Sequence, residues 1–499
     1  MTCIVAVDQG TTSTRALVVG RDGAVLGSGQ AEHHQHFPAP GWVEHDALEI
    51  WEKTRQVVGV ALAQANITRD DVAAVGITNQ RETVVAWNPA TGEPYARALV
   101  WQDTRTQPLI DELTARYGRD TWVPITGLPL DAYFSASKMR WLLDHVEDGQ
   151  GKAERGELLL GTMDSWLVWN LTGGVQGGVH ITDVTNASRT LLMDLRSRQW
   201  SPELLEVFTI PERALPQIRP SSDAFGVAGE HSLLAGVPIA GVLGDQQAAA
   251  FGQAAFHAGD SKATYGTGSF VLANTGPVPV RSSHGLITTV AYELAGQSPV
   301  YALEGSIAVT GALIQWLRDS LGMLTSAQES GVLAAQVPNS GGVVIVPAFS
   351  GLLAPHWRAD ARGTITGLTR FTDRRHVARA ALEAVAMQTR EVLDAMAADT
   401  GHPLASLKVD GGMVANDVLM QIQADALGIP VVRPRITETT AMGAAFAAGL
   451  GVGVWSGLED LQGMWAPDRS WQPESSEQER ADALARWRAG VERSLGWVP

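Results

Sequence analysis

Hydrophobic and polar positions divide the chain into short β-branched runs separated by polar turns, with a few longer helical stretches. Residues 4–7 (IVAV) predict a strand closed by Asp8, and the Gly-Thr-Thr-Ser turn at 10–13 leads to a second apolar run at 16–19. A turn at 21–23 precedes a third run at 24–26, which gives a meander whose first hairpin has a hydroxyl-rich tip. Such a tip offers backbone N–H groups and Thr hydroxyls to a polyphosphate, and the carboxylate at its base suits a hydrated metal ion; an ordinary polar hairpin is the alternative. Residues 47–65 have helical periodicity, and 72–77 read as a buried strand running into Asn79, Gln80, Arg81 and Glu82. This polar run lacks Gly, Pro and Asp, so a binding edge is favoured over a surface loop. ALVWQDTR at 98–105 brings Trp101, Gln102 and Asp103 to another strand end. Together these ends suggest the C-terminal edge of a sheet, where ligands bind in open α/β folds.

Further along, 133–145 predicts a helix capped by Ser135 or Ser137, with Lys138 as a solvated helix residue. Residues 147–156 read as a loop, 158–171 as apolar, and 180–190 as a polar loop and hairpin. His33, His34, His36 and His45 lack a coherent ligand spacing and are read as solvated loop histidines. A strand at 238–242, a turn at Gly244 and an Ala-rich helix at 247–255 place Asp245 and Gln246 at a strand-to-helix junction. Asp245 is there either a base open to a cleft or a simple N-cap. KATYGTGSFVLAN at 262–274 is again strand, turn, strand, and its Gly-Thr-Gly-Ser echoes the N-terminal turn, which implies two related halves. Residues 304–319 run from a small-residue loop into a helix carrying Gln315, 341–349 form a strand, and 375–399 a long helix. Strand, Asp-Gly-Gly, helix and strand follow over 407–432, and the glycines allow a ligand close to the backbone. A tight helix with Gly443 among small residues falls in 437–448, and 468–493 is a charged helical tail.

Composition narrows the function classes. At 499 residues the chain has room for two sizeable domains, and a net charge of −16 argues against nucleic-acid binding and adsorption to anionic membrane. Any phosphate site must be local. Cys3 is the only cysteine, so neither an intramolecular disulfide nor a cysteine-rich zinc site is available. No basic leader and no apolar span of membrane length stand out, so a cytoplasmic protein without stable membrane insertion is expected. The absence of GxxxxGK[ST] argues against a P-loop kinase.

Taken together, DQGTTSTR, GWVEHD, GITNQRET, WQDTRT, GDQQAAAFGQ, YGTGSF, ALEGSI, GLTR and VDGGMVAN span essentially the whole chain. In this order they resemble the FGGY carbohydrate kinases of the actin-like ATPase superfamily. The resemblance implies an α/β fold of two RNase-H-like domains, residues 1–250 with the polyol and the first phosphate loop and 251–499 with the second phosphate loop and adenosine. The boundary falls near 241–251, and ATP and Mg²⁺ are expected in the cleft. It further implies ATP-dependent phosphorylation of glycerol to sn-glycerol 3-phosphate, with Asp245 as catalytic base. Arg81, Glu82, Tyr133, Asp245 and Gln246 match positions that hydrogen-bond glycerol, and Trp101 and Phe270 those that pack on its carbons. Thr11, Thr12, Ser13 and Arg15 match polyphosphate positions; Thr267, Gly311, Gln315, Gly412 and Asn416 match nucleotide positions; Asp8 and Asp245 match the metal site. A homo-oligomer, dimer or tetramer, is implied as well.

Three features depart from that pattern. The stretch VAGEHSLLAGVP is acidic and lacks a Gly-rich basic loop for fructose 1,6-bisphosphate. His231 within it is read as a solvated loop residue in preference to a phosphotransferase-system phosphorylation site. His356 stands where an aromatic residue is usual. Two other readings stay open on sequence: a kinase of the same fold acting on a pentulose or another polyol, and a nucleotide-switched structural or chaperone protein.

Overall fold

The computed structural model describes residues 2–498. Strands β1 (Cys3–Gln9), β2 (Ser13–Gly20), β3 (Val25–Glu32), β4 (Val72–Asn79), β5 (Ser222–Val227) and β6 (Pro238–Gly244) make one sheet in the order β5-β6-β4-β1-β2-β3. A second sheet, in the order β9-β10-β8-β7-β11-β12-β13, contains β7 (Ser261–Tyr265), β8 (Ser269–Gly276), β9 (Ile287–Tyr292), β10 (Val300–Ile307), β11 (Leu407–Asp410), β12 (Val431–Pro434) and β13 (Pro467–Trp471).

Both sheets share one plan. Each has an antiparallel hairpin, β1/β2 or β7/β8, extended by an antiparallel third strand on one side and by parallel strands on the other. The echo of the two Gly/Thr turns thus corresponds to a structural repeat, and the fold is a two-domain α/β arrangement. β1 and β4 are buried almost throughout, as strands covered on both faces must be.

The helices that matter for the cleft are α1 (Ala47–Ala65), α2 (Ser135–His145), α3 (Asp245–Gly252), α4 (Gly311–Asp319), α5 (Arg374–Thr400), α6 (Asp417–Leu427) and α7 (Thr439–Gly451). Helix α1 covers β2 and β3, and its start is fixed by Asp46, which accepts from Leu48 N at 2.9 Å and Glu49 N at 3.2 Å. Helix α7 is apolar on all sides and lies against α3 and the face of β1, β4 and β6, so late chain packs on the early sheet. That packing needs glycine: a Cβ at Gly443 would stand 1.8 Å from Ala248 O, and one at Gly252 would stand 2.0 Å from Thr439 O.

Several expectations change. Residues 149–155 form a short helix within the stretch read as a loop. The stretch at 180–190 is a strand, Ile181–Asp183, followed by a helical turn, Val184–Ala187, all buried; its polar side chains find partners inside the protein, Thr182 with Asp164, Asn186 with Asn79 and Ser188 with Thr289, so their polarity did not signal exposure. Helix α2 has Phe134 at its N-cap without a side-chain bond, because Ser135 donates instead to Glu82 O (3.0 Å) and Ser137 pairs with Thr106 (2.8 Å). Residues 304–307 belong to strand β10, and the apolar strand expected at 341–349 is confined to Val344–Val346. His33 and His45 are buried and in ring contact, with centroids 4.7 Å apart; among the described residues no cluster of three or more His, Cys, Asp or Glu suits a metal ion. His356 pairs with Glu391 of α5 (Nε2 to Oε2, 3.0 Å), which accounts for a polar ring at that position. Among the described residues no helix is long and apolar enough to cross a membrane.

Candidate active site

Strands β1, β4 and β6 run parallel and stop level with one another, Gln9 and Gly244 both opposite Asn79. Three chain segments therefore emerge side by side: the tip at 10–12, residues 80–82, and Asp245 at the start of α3. Gly244, with extended backbone, is the N-cap of α3, so Asp245 lies in the first turn with its side chain 27% exposed towards the cleft. This overturns the simple N-cap alternative. Trp101 joins the cleft too, but Asp103 does not; its carboxylate accepts from Val43 N at 2.6 Å and is clamped by Arg105.

The floor of the cleft is a buried charge network. Arg81 donates to both oxygens of Glu304 (2.5 and 2.9 Å) and its Nε lies 3.2 Å from Asp245 Oδ1. Arg189 donates to Glu82 Oε1 at 2.6 Å and approaches Glu304 at 3.2 Å. Burial would raise Glu304, but Arg189 and Arg81 hold its carboxyl down at about 2, so it stays ionised. Burial raises Asp245 above the ordinary carboxylate range, against the pull of Arg81 and Lys262. Glu82 is likewise raised by burial and opposed by Arg189 and Arg81. Its backbone takes φ 62°, a left-handed conformation costly for a side chain of this kind and characteristic of functional turns.

Aromatic rings form the wall. Trp101 meets Tyr133 and Phe270 edge to face, with centroids 5.7 and 6.2 Å away, and Arg81 lies over Phe270. Tyr133 is neutral, its phenol pushed up by burial and by the neighbouring Glu82. It is held from behind by Lys138, which is fully buried and donates to the carbonyls of Ala132, Tyr133 (3.0 Å) and Phe134 (3.4 Å). The expectation of a solvated Lys138 is thus corrected: an ammonium has only donors, and a turn of unpaired carbonyls can bury it.

Two hairpin tips face this floor. At the first, Thr12 is exposed and Thr11 and Ser13 half-buried; Trp101 donates to Thr11 Oγ1 (3.0 Å), Gln30 to Ser13 Oγ (3.1 Å), and His33 Nε2 is 3.0 Å from Thr11 O. The bonds to Thr11 Oγ1 and Ser13 Oγ each occupy a lone pair and leave the hydroxyl proton free for another acceptor. Arg15 is paired with Glu438 (3.3 Å) and Gln30 (3.0 Å). At the second tip, Gly311 N and Ala312 N donate to Gly266 O and Thr267 O (3.0 Å each), which joins the tip to the N-terminus of α4. Beyond it a cavity of about 570 Å³ is lined by Thr267, Gly311, Gln315, Gly412 and Asn416 together, alongside Ile314, Met413 and Val418. A Cβ added at Gly412 would meet nothing, so that backbone lies open to the cavity. Asn416 also caps α6, accepting from Leu419 N at 3.2 Å.

Asp8, on β1 opposite Arg15, is pushed up to about 7 by burial and by the charges of Asp245 and Glu438. Asp8 and Asp245, whose charges repel at strand ends of one sheet, fit a divalent cation that takes one or two protein oxygens and completes its shell with water and phosphate.

Sequence reasoning missed Arg189, Glu304, Lys138 and Lys262. Glu304 lies in the ALEGSI motif, and the local signal for it and for Lys262 is a lone charge within a strand, YALEG or SKATY.

With this geometry in hand, the comparisons with known proteins are unambiguous. The N-terminal domain of the FGGY family of carbohydrate kinases matches residues 3–252 and its C-terminal domain residues 261–452, and the chain belongs to this family. It is 59% identical over 495 residues to a glycerol kinase of Renibacterium salmoninarum, covering 99% of this chain and 98% of that protein. A glycerol kinase of Pseudarthrobacter chlorophenolicus is 58% identical over the same shares. Among solved structures, Plasmodium falciparum glycerol kinase with ADP superposes with a TM-score of 0.93 at 37% identity, covering 99% of this chain and 98% of that one.

Proposed function

We propose that this protein phosphorylates glycerol at the expense of ATP, giving sn-glycerol 3-phosphate. The observation that carries the reading is the convergence of Arg81, Glu82, Tyr133, Asp245 and Gln246 with Trp101 and Phe270 on one floor facing both hairpin tips. Its relatives at 58% and 59% identity, named glycerol kinases, support it.

Each glycerol hydroxyl is donor and acceptor, so a floor mixing carboxylates with Arg81, Tyr133 and Gln246 fixes one orientation while the aromatic wall packs the carbons. Asp245 accepts the proton of the attacking hydroxyl as the new O–P bond forms, and the bond from the γ-phosphorus to its bridging oxygen breaks to release ADP. Thr11, Thr12 and Ser13, with Arg15 nearby, and the backbone of the second tip hold the phosphates. Thr267, Gly311, Gln315, Gly412 and Asn416 receive the nucleotide in the 570 Å³ cavity. Asp8, through water, and Asp245 would hold Mg²⁺, which when bound neutralises charge on the phosphoryl oxygens. We place the reaction in the cytoplasm, in a homodimer or homotetramer. His231 is exposed, and we read it as a loop residue outside phosphotransferase control.

The test is ADP release with MgATP across glycerol, erythritol, xylulose and ribulose. Glycerol-dependent release with sn-glycerol 3-phosphate as product is expected; turnover confined to a ketose would overturn the substrate assignment.

A further inference from the structure

Lys262 is fully buried on β7, the first strand of the second sheet, yet its ammonium reaches a residue of the first domain. It donates to Gln246 Oε1 at 2.5 Å and to Thr264 Oγ1 at 2.8 Å. Gln246 lies in the first turn of α3, is 7% exposed, and directly follows Asp245. We propose that Lys262 is a positioning residue that locks the Gln246 amide with its oxygen inward, so that only the NH₂ group faces the polyol.

The argument is one of donor and acceptor count. An ammonium offers three donors and no acceptor, so the amide atom against it must be the oxygen. Flipping the amide would set NH₂ against NH₃⁺ and leave a buried cation short of a partner. Among the described residues the Gln246 side-chain nitrogen donates to no protein atom, and it is absent from the buried groups that lack partners; it opens to the cleft. The consequence is a division of labour on the floor. Asp245 and Glu82 accept, whereas Gln246 can only donate, so the substrate atom facing it must carry a lone pair.

Lys262 is suited to the task by its surroundings. Burial lowers its ammonium to about 8, and the nearby charges of Asp410, Glu304 and Asp245 oppose that lowering, so it is charged at neutral pH. The bond also crosses from the second sheet to the first domain, so the lock ties substrate orientation to the relative placement of the two halves.

This inference rests on the polyol reading of the cleft, and the experiment separates the two. Kinetics are measured for the wild type, Lys262→Met, Gln246→Ala, the double variant and Gln246→Glu, with thermal melting of each. Lys262→Met should raise the glycerol KM about tenfold and change the MgATP KM by less than about twofold, the loss of one oriented hydrogen bond. In the Gln246→Ala background the same substitution should add nothing to the glycerol KM, since its partner is gone. Equal effects in both backgrounds would overturn the proposal. Gln246→Glu keeps Lys262 paired and the fold intact if Lys262→Met does not fold. With the NH₂ facing the polyol it must raise the glycerol KM by a similar factor, and a glycerol KM at the wild-type value would overturn the lock. Wild-type turnover of a ketose but not glycerol would sink the functional reading instead, and the same KM comparison on that ketose would still decide the role of Lys262.

Discussion

On the floor of the cleft Arg81, Arg189 and Lys262 interleave with Glu82, Glu304 and Asp245 in direct ion pairs or through Gln246, whereas the cavity across the hairpin tips is lined mainly by small and apolar residues and open backbone. The floor holds fixed, buried charge that cannot rearrange without leaving an ion unpaired. The cavity offers shape and open backbone at Gly412, while the amides at the start of α4 are already bonded to the hairpin tip. The difference shows where discrimination resides. A small triol presents little area, so it must be oriented by directed hydrogen bonds, while a nucleotide is large enough to be held by fit and by its phosphates. A pentulose or another polyol would have to satisfy the same fixed donors and acceptors to be turned over.

Substitutions that attack the floor should cost more than those in the cavity. The largest loss is expected for Asp245→Asn, which removes the proposed base: kcat should fall about 10²- to 10⁴-fold while ATP binding by calorimetry persists. Retained turnover would remove Asp245 from that role. Arg189→Met takes from the buried Glu82 its close cationic partner, a loss of about 3–5 kcal/mol by the usual cost of breaking such a pair, while Glu304 keeps Arg81. Chemical denaturation should register it, and a stability equal to wild type would mean that the network carries no such load.

The next effect is a pH dependence at the junction of the two regions. Asp8 sits at about 7 when folded against an ordinary value near 3.8, so the folded protein prefers its protonated form. In the metal-free protein its contribution to stability is therefore complete below 3.8 and is lost as pH rises through 7. In the proposed role of Asp8 in holding Mg²⁺, metal binding competes with that proton, so the apparent Mg²⁺ affinity in the presence of ATP should rise with pH, by up to about tenfold per unit below 7, and then level off. Asp8→Asn should flatten the profile; an unchanged profile would exclude Asp8 as its source. In the cavity, Asn416→Ala removes a helix cap worth about 1 kcal/mol and one lining group. It should raise the MgATP KM a few-fold and leave the glycerol KM alone. A larger effect on glycerol than on ATP would erase the distinction between the two sides.

The fold was largely legible in the chain. Helix α1 occupies the span its periodicity predicts, and both hairpins, the Asp-Gly-Gly turn and its flanking elements follow from local pattern because strand alternation, turn chemistry and caps act over a few residues. The residues expected around a nucleotide, from Thr267 to Asn416, do line one cavity, because the motifs that carry them are themselves strand-to-helix and hairpin turns. What the sequence could not express is which charges are buried together. Arg189 lies in a polar run that looks solvated and Glu304 opens a run read as a small-residue loop; both are inside because their partners come from far along the chain, Glu82 for Arg189 and Arg81 for Glu304, whereas Lys138 and Lys262 look like surface lysines although their partners are nearer, the carbonyls of 132–134 for Lys138 and Gln246 and Thr264 for Lys262. Local pattern determined the elements and the order of the motifs. Only tertiary structure decided the charge network and the direction of the Gln246 amide, since burial and pairing of ions are properties of the assembled sheets, not of any stretch within them.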